Sequence, residues 1–562
     1  RLMAVERVPA ASILAVTFTN KAAREMQERV ARLAGGQGAG EGPWISTFHS
    51  FAVRLLRRYG ASLADLRPGF TTRFSIYDED DQLAMVKAAY RRLGLDEEFM
   101  TYRAALSRIS AAKNRKQTPE DLHREAADPK SSRLAVVYEQ YEANLRGANA
   151  LDFDDLLLEA VRLLAHDQGV REMANQRFAY LMIDEYQDTN RAQYELMRLL
   201  TAKRRNVCVV GDEDQSIYGW RGADIRNILD FERDYPDVRV IRLEQNYRST
   251  RPILDAAGAL VAHNTERRGK KLWTEEPGGL PVGLYEAADG EQEAVFVAQT
   301  IRSLLGQDPA ARVAVLYRTN AQSRQLEEAL RRLGVDYRVV GGFSFYQRAE
   351  IRDVLAYLKL LVAPLDPVYL LRIINTPARG IGRTTVEQLQ QYANKQGAAL
   401  WTALERMLEH GLLAPRAQAA LDQFRRLIEE LRAAASREPL AAILRMILDR
   451  TGYRRMLEND PSPAAAARLE NLDELLNAAA EAQERGEDVA AFLDHAALVS
   501  DADAVDERAS VSLLTLHNAK GLEFPVVFIT GMEEGLCPHG RSAQDAASLE
   551  EERRLCYVGM TR

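Results

Sequence analysis

Cysteine is scarce in this chain: Cys208, Cys537 and Cys556 are the only three, far apart and without CxxC spacing. Neither a disulfide framework nor a thiolate zinc site is indicated, and such sparse usage fits a reducing, cytoplasmic setting. No apolar run approaches the roughly 18 residues of a membrane-spanning helix, and no signal-peptide pattern opens the sequence, so no membrane partner is expected. A basic excess is missing too: 74 Lys and Arg stand against 81 Asp and Glu, a net charge of −7. This argues against a wholesale cationic coat for gripping nucleic acid. A local groove stays open, because phosphate contacts depend on where the Lys and Arg sit. There is no short-period repeat and no low-complexity tract beyond Ala-rich helix. What remains, 562 residues with 46% hydrophobic and 28% charged, is ordinary for several globular domains with sizeable cores.

Against that plain background one stretch stands out. Phe178 to Asp188, FAYLMIDEYQD, is an apolar run ending in paired carboxylates, Asp184 and Glu185. A buried parallel strand reads as a short continuous apolar run, and α/β sheets gather ligands at the carboxyl ends of such strands. Two acids there can do complementary work, one holding a metal ion and the other taking a proton from water. A solvated acidic turn would read the same. Asn206 to Gly211 then gives a second apolar run, ending in Gly-Asp and a polar-aromatic loop, which makes a shared site the better reading.

In chain order, Ser12 to Thr19 reads as a buried strand, Asn20 to Leu33 as an amphipathic helix and Pro43 to Thr47 as a short strand before the helix Phe51 to Arg58. Residues 70–150 read as helical, and Arg103, Arg108, Lys113, Arg115 and Lys116 fit a solvated helix surface. LDFDDLL at 151–157 starts a helix, and the strand-helix pattern resumes to about 250. A second α/β region follows, with strand candidates Val282 to Tyr285, Val313 to Tyr317 and Tyr337 to Val340 and the helix Ala321 to Leu333. From about 357 to 505 the pattern is helical, as in Ala417 to Ala435 and Ala464 to Glu484. Strands return at Val511 to Leu516 and Pro525 to Thr530. The expectation is two α/β domains, each interrupted by a mainly helical insertion.

The motifs follow a fixed order. TFTNKAAREM (17–26), STFHSF (46–51), LDFDDLL (151–157), IDEYQD (183–188) and GDEDQSIYGWRGAD (211–224) come first. LEQNYRST (243–250), VLYRTNAQSR (315–324), RAEIRDVL (348–355), TLHNAKGLEFP (515–525) and EEERRLCYVGMTR (550–562) follow. Together they resemble the UvrD/PcrA/Rep family of superfamily 1 DNA helicases over essentially the whole chain. The resemblance implies two RecA-like domains. The first would comprise 1–69 and 151–250 around the insertion 70–150, the second 251–356 and 506–562 around the insertion 357–505.

The resemblance also implies roles. Asp184 would help hold Mg²⁺ on ATP and Glu185 would be the general base; Gln215 would sense the γ-phosphate. Arg248 and Arg562 would be arginine fingers, groups worth about 10³–10⁵ in rate. Tyr247 would stack on adenine, with Glu523 bonding the ribose and Gly521 beside it in the same motif. For DNA, Tyr218, Trp220 and Arg221 interleave aromatic and basic character, and stacking on an aromatic is worth about 1–3 kcal/mol per base whatever the sequence. Phe18, Thr47, His49, Arg318, Asn320, Thr515 and His517 match further family positions along the single strand. The implied activity is ATP-dependent 3′-to-5′ unwinding in repair or replication. Implied partners are single-stranded DNA, single-/double-strand junctions, and repair or replication proteins.

One family element is missing. No GxxxxGK[ST] occurs, so the phosphate-cradling loop and its Lys are absent, as is the adenine-reading glutamine motif. In the family both precede TFTNKAA, and the expectation is a fragment cut at both ends. The rival expectation is a non-catalytic DNA-binding or regulatory protein without a phosphate loop.

Overall fold

The computed structural model describes residues 1–34, 42–276, 278–340, 345–460, 463–498, 509–540, 542 and 545–562. The described strands, in chain order, are β1 Ile13–Thr17, β2 Trp44–Thr47, β3 Ser75–Tyr77, β4 Ala150–Asp152, β5 Tyr180–Ile183, β6 Val207–Val209, β7 Val313–Tyr317, β8 Arg338–Val339, β9 Val511–Thr515 and β10 Val526–Ile529. The chain divides into two compact units, Arg1–Phe48, Glu172–Ser344 and Ser500–Arg562 in one, His49–Arg171 and Phe345–Val499 in the other.

The first unit holds two four-stranded sheets, ordered β2-β1-β5-β6 and β10-β7-β9-β8, in which every pairing is parallel. Their central strands explain the apolar runs. ILAVT of β1 and VAVLY of β7 are buried at every position, as strands covered on both faces must be. Register aligns Val16 with Ile183, so β1 and β5 end together, and the Asp184 N–H donates to the Val16 carbonyl at 2.9 Å just past the pairing. The helix Asn20–Leu33 begins where Thr19 Oγ1 accepts the Ala22 N–H at 3.1 Å, a side-chain N-cap.

One expected strand does not form. Val282 to Tyr285 runs as irregular chain with Leu284 96% exposed. Among the described residues it pairs with no strand, and a short apolar run becomes a strand only when a partner takes its N–H and C=O groups.

The second unit is mainly helical, and one apolar core joins residues of 77–150 to residues of 351–496, including Tyr77, Tyr141, Tyr357 and Phe424. The span 70–150 is not wholly helical: β3 pairs in parallel with β4. LDFDDLL does start a helix, Phe153–His166, with Asp152 and Asp155 forming a reciprocal capping box. The basic surface expected near 103–116 is surface only in part. Arg103, Arg108, Arg115 and Lys116 are exposed, whereas Lys113 is buried among carboxylates. Among the described residues no helix is long and apolar enough to cross a membrane.

Candidate active site

Asp184 and Glu185 leave the end of β5 in a tight turn. Glu185 takes a left-handed backbone conformation, φ 53°, and its N–H donates to Asp184 Oδ1 at 3.0 Å. Such conformations cost energy for a residue with a side chain and recur at functional sites. Burial, and then the neighbouring Glu185, raises the Asp184 carboxyl above the usual range. Gln187, next in the turn, donates from Nε2 to Glu185 Oε2 at 2.6 Å while its Oε1 accepts the Asp212 N–H at 3.0 Å. This ties the strand-end acids to the loop after β6. Gly211 makes the approach possible, since a Cβ there would lie 2.5 Å from Gln187 Oε1.

That loop, Gly211 to Asp224, is held at its start by charge. Lys270 pairs with Asp212 and, at 3.2 Å, with Asp214; Arg267 binds Asp214 through two nitrogens at 2.9 and 2.7 Å. Asp212 Oδ2 in turn accepts from Gln215 Nε2 at 2.8 Å, and Gln215 Oε1 accepts from Arg562 at 2.8 Å. A carboxylate on one side and a guanidinium on the other fix which way the Gln215 amide points. Arg562 is buried, and burial followed by the nearby Arg248 lowers its pKa to about 10. It stays charged at neutral pH.

A lysine that motif reading passed over completes the group. Lys520, in the loop after β9, pairs with buried Asp188, donates to the Gln215 carbonyl at 2.7 Å and lies 3.5 Å from Glu185 Oε2. Burial lowers its pKa, but Asp188 and Glu185 outweigh that and the net direction is upward. Asp188 is pushed up by burial to about 6, with Lys520 opposing. Lys520 lies inside TLHNAKGLEFP, but nothing in that string says it reaches IDEYQD.

The remaining nucleotide-side candidates are more open. Arg248 donates to Glu523 Oε2 at 2.8 Å, so each occupies the other. Tyr247 is 78% exposed, its hydroxyl donating to Gln245 at 2.7 Å. Gly521 turns the chain at φ 81°.

At the far end of the 211–224 loop the residues are aromatic. The ring of Tyr218, largely buried, stacks on Phe18 at 4.7 Å and 22°, and its hydroxyl donates to the His517 carbonyl at 3.3 Å. Trp220 is 65% exposed, with the Arg221 guanidinium 4.6 Å from its ring centroid and His517 edge-on at 6.3 Å. Burial, then Arg318, lowers the His517 pKa to about 4, so its ring is neutral at physiological pH. Arg318 itself is committed to Glu552, with contacts of 3.1, 3.1 and 2.8 Å. Thr515 ends β9 and accepts the Asn518 N–H at 3.2 Å. Asn320 opens a 3₁₀ turn just beyond β7, and Thr47 is buried at the end of β2. His49 belongs to the second unit, where its ring meets Phe153 edge-on at 6.0 Å.

Comparison with known proteins decides the family. Residues 1–236 match the UvrD/REP helicase N-terminal domain, and residues 241–562 match the UvrD-like helicase C-terminal domain. The chain belongs to the UvrD/REP helicase family. Its relatives include the ATP-dependent DNA helicase PcrA of Bacillus subtilis, 45% identical over all of this chain and 76% of that protein. The PcrA proteins of Staphylococcus aureus and Staphylococcus epidermidis are each 44% identical, over 98% of this chain and 75% of theirs. For a UvrD/REP helicase, two parallel sheets in one unit are the RecA-like halves, with strand-end acids on one and the Lys520 loop on the other.

The donor chemistry at Asp184 fits magnesium. Mg²⁺ takes one or two hard carboxylate oxygens from a protein and completes its shell with water and phosphate. A half-buried acid at a strand end, beside a second acid, is such a donor.

Proposed function

We propose that this chain is the motor of an ATP-dependent DNA helicase that moves 3′ to 5′ along single-stranded DNA and opens duplex at single-/double-strand junctions, in repair or replication. ATP hydrolysis coupled to DNA is the coarser reading that the relatives' names support; polarity and pathway rest on the motif resemblance. One observation carries the proposal. A chain of direct contacts, Lys270–Asp212–Gln215–Arg562, sits at one end of the 211–224 loop, and the exposed Trp220 sits at the other.

In this reading Asp184 would hold the Mg²⁺, which when bound supplies charge neutralisation on the phosphates. Glu185 accepts a proton from the attacking water, and the Gln187 and Lys520 contacts hold its carboxylate in place. Arg248 lies close enough to Arg562 to lower its proton affinity, so an anion near the two guanidinium groups is favoured. To meet a phosphate, Arg562 would have to release Gln215 and Arg248 would have to release Glu523. Both exchanges move parts of the site that are occupied here. Phosphoryl transfer asks for this kind of positioned charge rather than for covalent help. Trp220 stacks on a base, and Phe18 beneath Tyr218 backs the loop that presents it.

The test is Glu185→Gln in the full-length gene product. Loss of a general base is worth roughly 10²–10⁴ in rate, so hydrolysis should fall by that factor while a fluorescent ATP analogue still binds. Unwinding at the unsubstituted rate would sink the assignment. The absence of GxxxxGK[ST] from these 562 residues favours a second reading, a DNA-binding protein without turnover. Oligo(dT) binding with no stimulated hydrolysis would make it the leading one.

A further inference from the structure

The helix Ala546–Met560 and the two residues after it carry three side chains aimed at one loop. Arg562, just past its end, bonds Gln215 Oε1 at 2.8 Å; Arg554 Nε donates to the Ser216 carbonyl at 2.9 Å; Glu551 Oε1 accepts the Gly219 N–H at 3.1 Å. At 3.6 residues per turn positions 551 and 554 lie about 60° apart on one helix face, and Arg562 follows just past the C-cap Thr561. The partners run the other way along the loop, 219, 216, 215, so helix and loop lie antiparallel and are riveted at three points.

The Glu551 contact is the one next to Trp220. Gly219 begins the 3₁₀ turn Gly219–Arg221, and its N–H would otherwise have no partner in that turn. The fit is close: a Cβ on Gly219 would lie 2.3 Å from Glu551 Oε2 and 3.2 Å from its carboxyl carbon. A side chain at 219 would push the carboxylate out of this position. The neighbouring Glu552 turns away to Arg318, so the two adjacent acids hold different elements. No motif role was expected for Glu551.

We propose that Glu551 is a positioning residue for the DNA-stacking turn. Its carboxylate fixes the Gly219 N–H and hence the direction of Trp220, and it does so from the helix that ends in Arg562. A shift of Arg562 at the nucleotide is then delivered to Trp220 by a rigid helix as well as through the loop itself. The inference rests on the proposed stacking role of Trp220.

The experiment compares Glu551→Ala with Glu551→Gln in the full-length gene product. The readouts are oligo(dT) affinity and the ratio of DNA-stimulated to unstimulated ATP hydrolysis. Gln keeps an acceptor oxygen for Gly219; Ala removes it. Expected are a roughly tenfold weaker oligo(dT) affinity and a roughly tenfold smaller ratio for Ala, with Gln within about threefold of the parent, the effect of one hydrogen bond to a charged acceptor. Gly219→Ala should resemble Glu551→Ala, since the new methyl displaces the carboxylate. If Ala leaves affinity and ratio unaltered, or Gln fails as badly as Ala, the positioning role is overturned. If the parent hydrolyses no ATP but oligo(dT) affinity still falls with Ala and holds with Gln, the helicase reading fails while Glu551 keeps its role.

Discussion

Each unit buries a lysine among carboxylates, and the two are buried differently. In the helical unit Lys113 lies 2.7 Å from each of Asp152, Asp155 and Glu142. Asp152 and Asp155 accept hydrogen bonds from its Nζ, Glu142 adds an ion-pair contact, and Asp152 also accepts from Tyr141 at 2.9 Å. In the two-sheet unit Lys520 pairs closely with one acid, Asp188, donates to a backbone carbonyl, and reaches Glu185 only at 3.5 Å. The first arrangement is closed and joins the helices Tyr102–Asn114, Pro129–Gly147 and Phe153–His166. The second, with one close acid, shares its more distant acid, Glu185, with the candidate chemistry. A saturated buried cation holds a fold, whereas a partly saturated one can exchange partners.

The largest effect should come from breaking the closed cluster. Lys113→Met leaves three buried acids facing one another, and removing one partner of a buried pair costs about 3–5 kcal/mol. Urea unfolding should register that loss, and a change below about 1 kcal/mol would erase the contrast between the two lysines. Lys520→Met should cost less, about 1–3 kcal/mol, because Asp188, already pushed up to about 6, can take a proton instead. It should also lower ATP turnover about tenfold by freeing Glu185. Turnover equal to the parent's would make Lys520 as purely structural as Lys113.

Trp220→Ala sharpens the comparison from the exposed side. The ring is 65% exposed, so stability should change by less than about 0.5 kcal/mol. Oligo(dT) affinity should fall by about 1–3 kcal/mol, one lost stacking contact; unaltered affinity would remove the aromatic from the DNA path. The smallest effect concerns His517. Its folded pKa of about 4 lies below the ordinary 6.5, so the unfolded chain binds a proton that the folded chain refuses. Stability should therefore fall as pH drops from 6.5 toward 4 and be flat above 6.5 on its account. His517→Gln should show a shallower fall in urea midpoint across that window; identical slopes would mean the ring is not held neutral.

Much of the two-sheet unit was legible in advance. The helix Asn20–Leu33 lies where the amphipathic pattern put it, and β1, β5, β7 and β9 fall inside the apolar runs. Val282 to Tyr285 failed because an apolar run is a necessary sign of a buried strand but not a sufficient one. The acids Asp184 and Glu185 were legible as a strand-end pair. Lys520 and Glu551 were not, because each acts on a partner more than 300 residues away, 332 in both cases. Lys113 was misread as surface because charge alone says nothing about which helix face meets a neighbour.

The sequence by itself determined the local things: strand cores, helix caps, the aromatic-basic loop and the motif order that marks the family. These depend on neighbours a few residues apart, where side-chain period and capping chemistry act. Only the tertiary structure decided the pairings: Lys520 with Asp188, Lys113 with its three acids, Arg562 with Gln215 and Glu551 with Gly219. A buried charge is tolerable only when a distant segment brings a counter-charge or donor, and folding alone determines which segment that is.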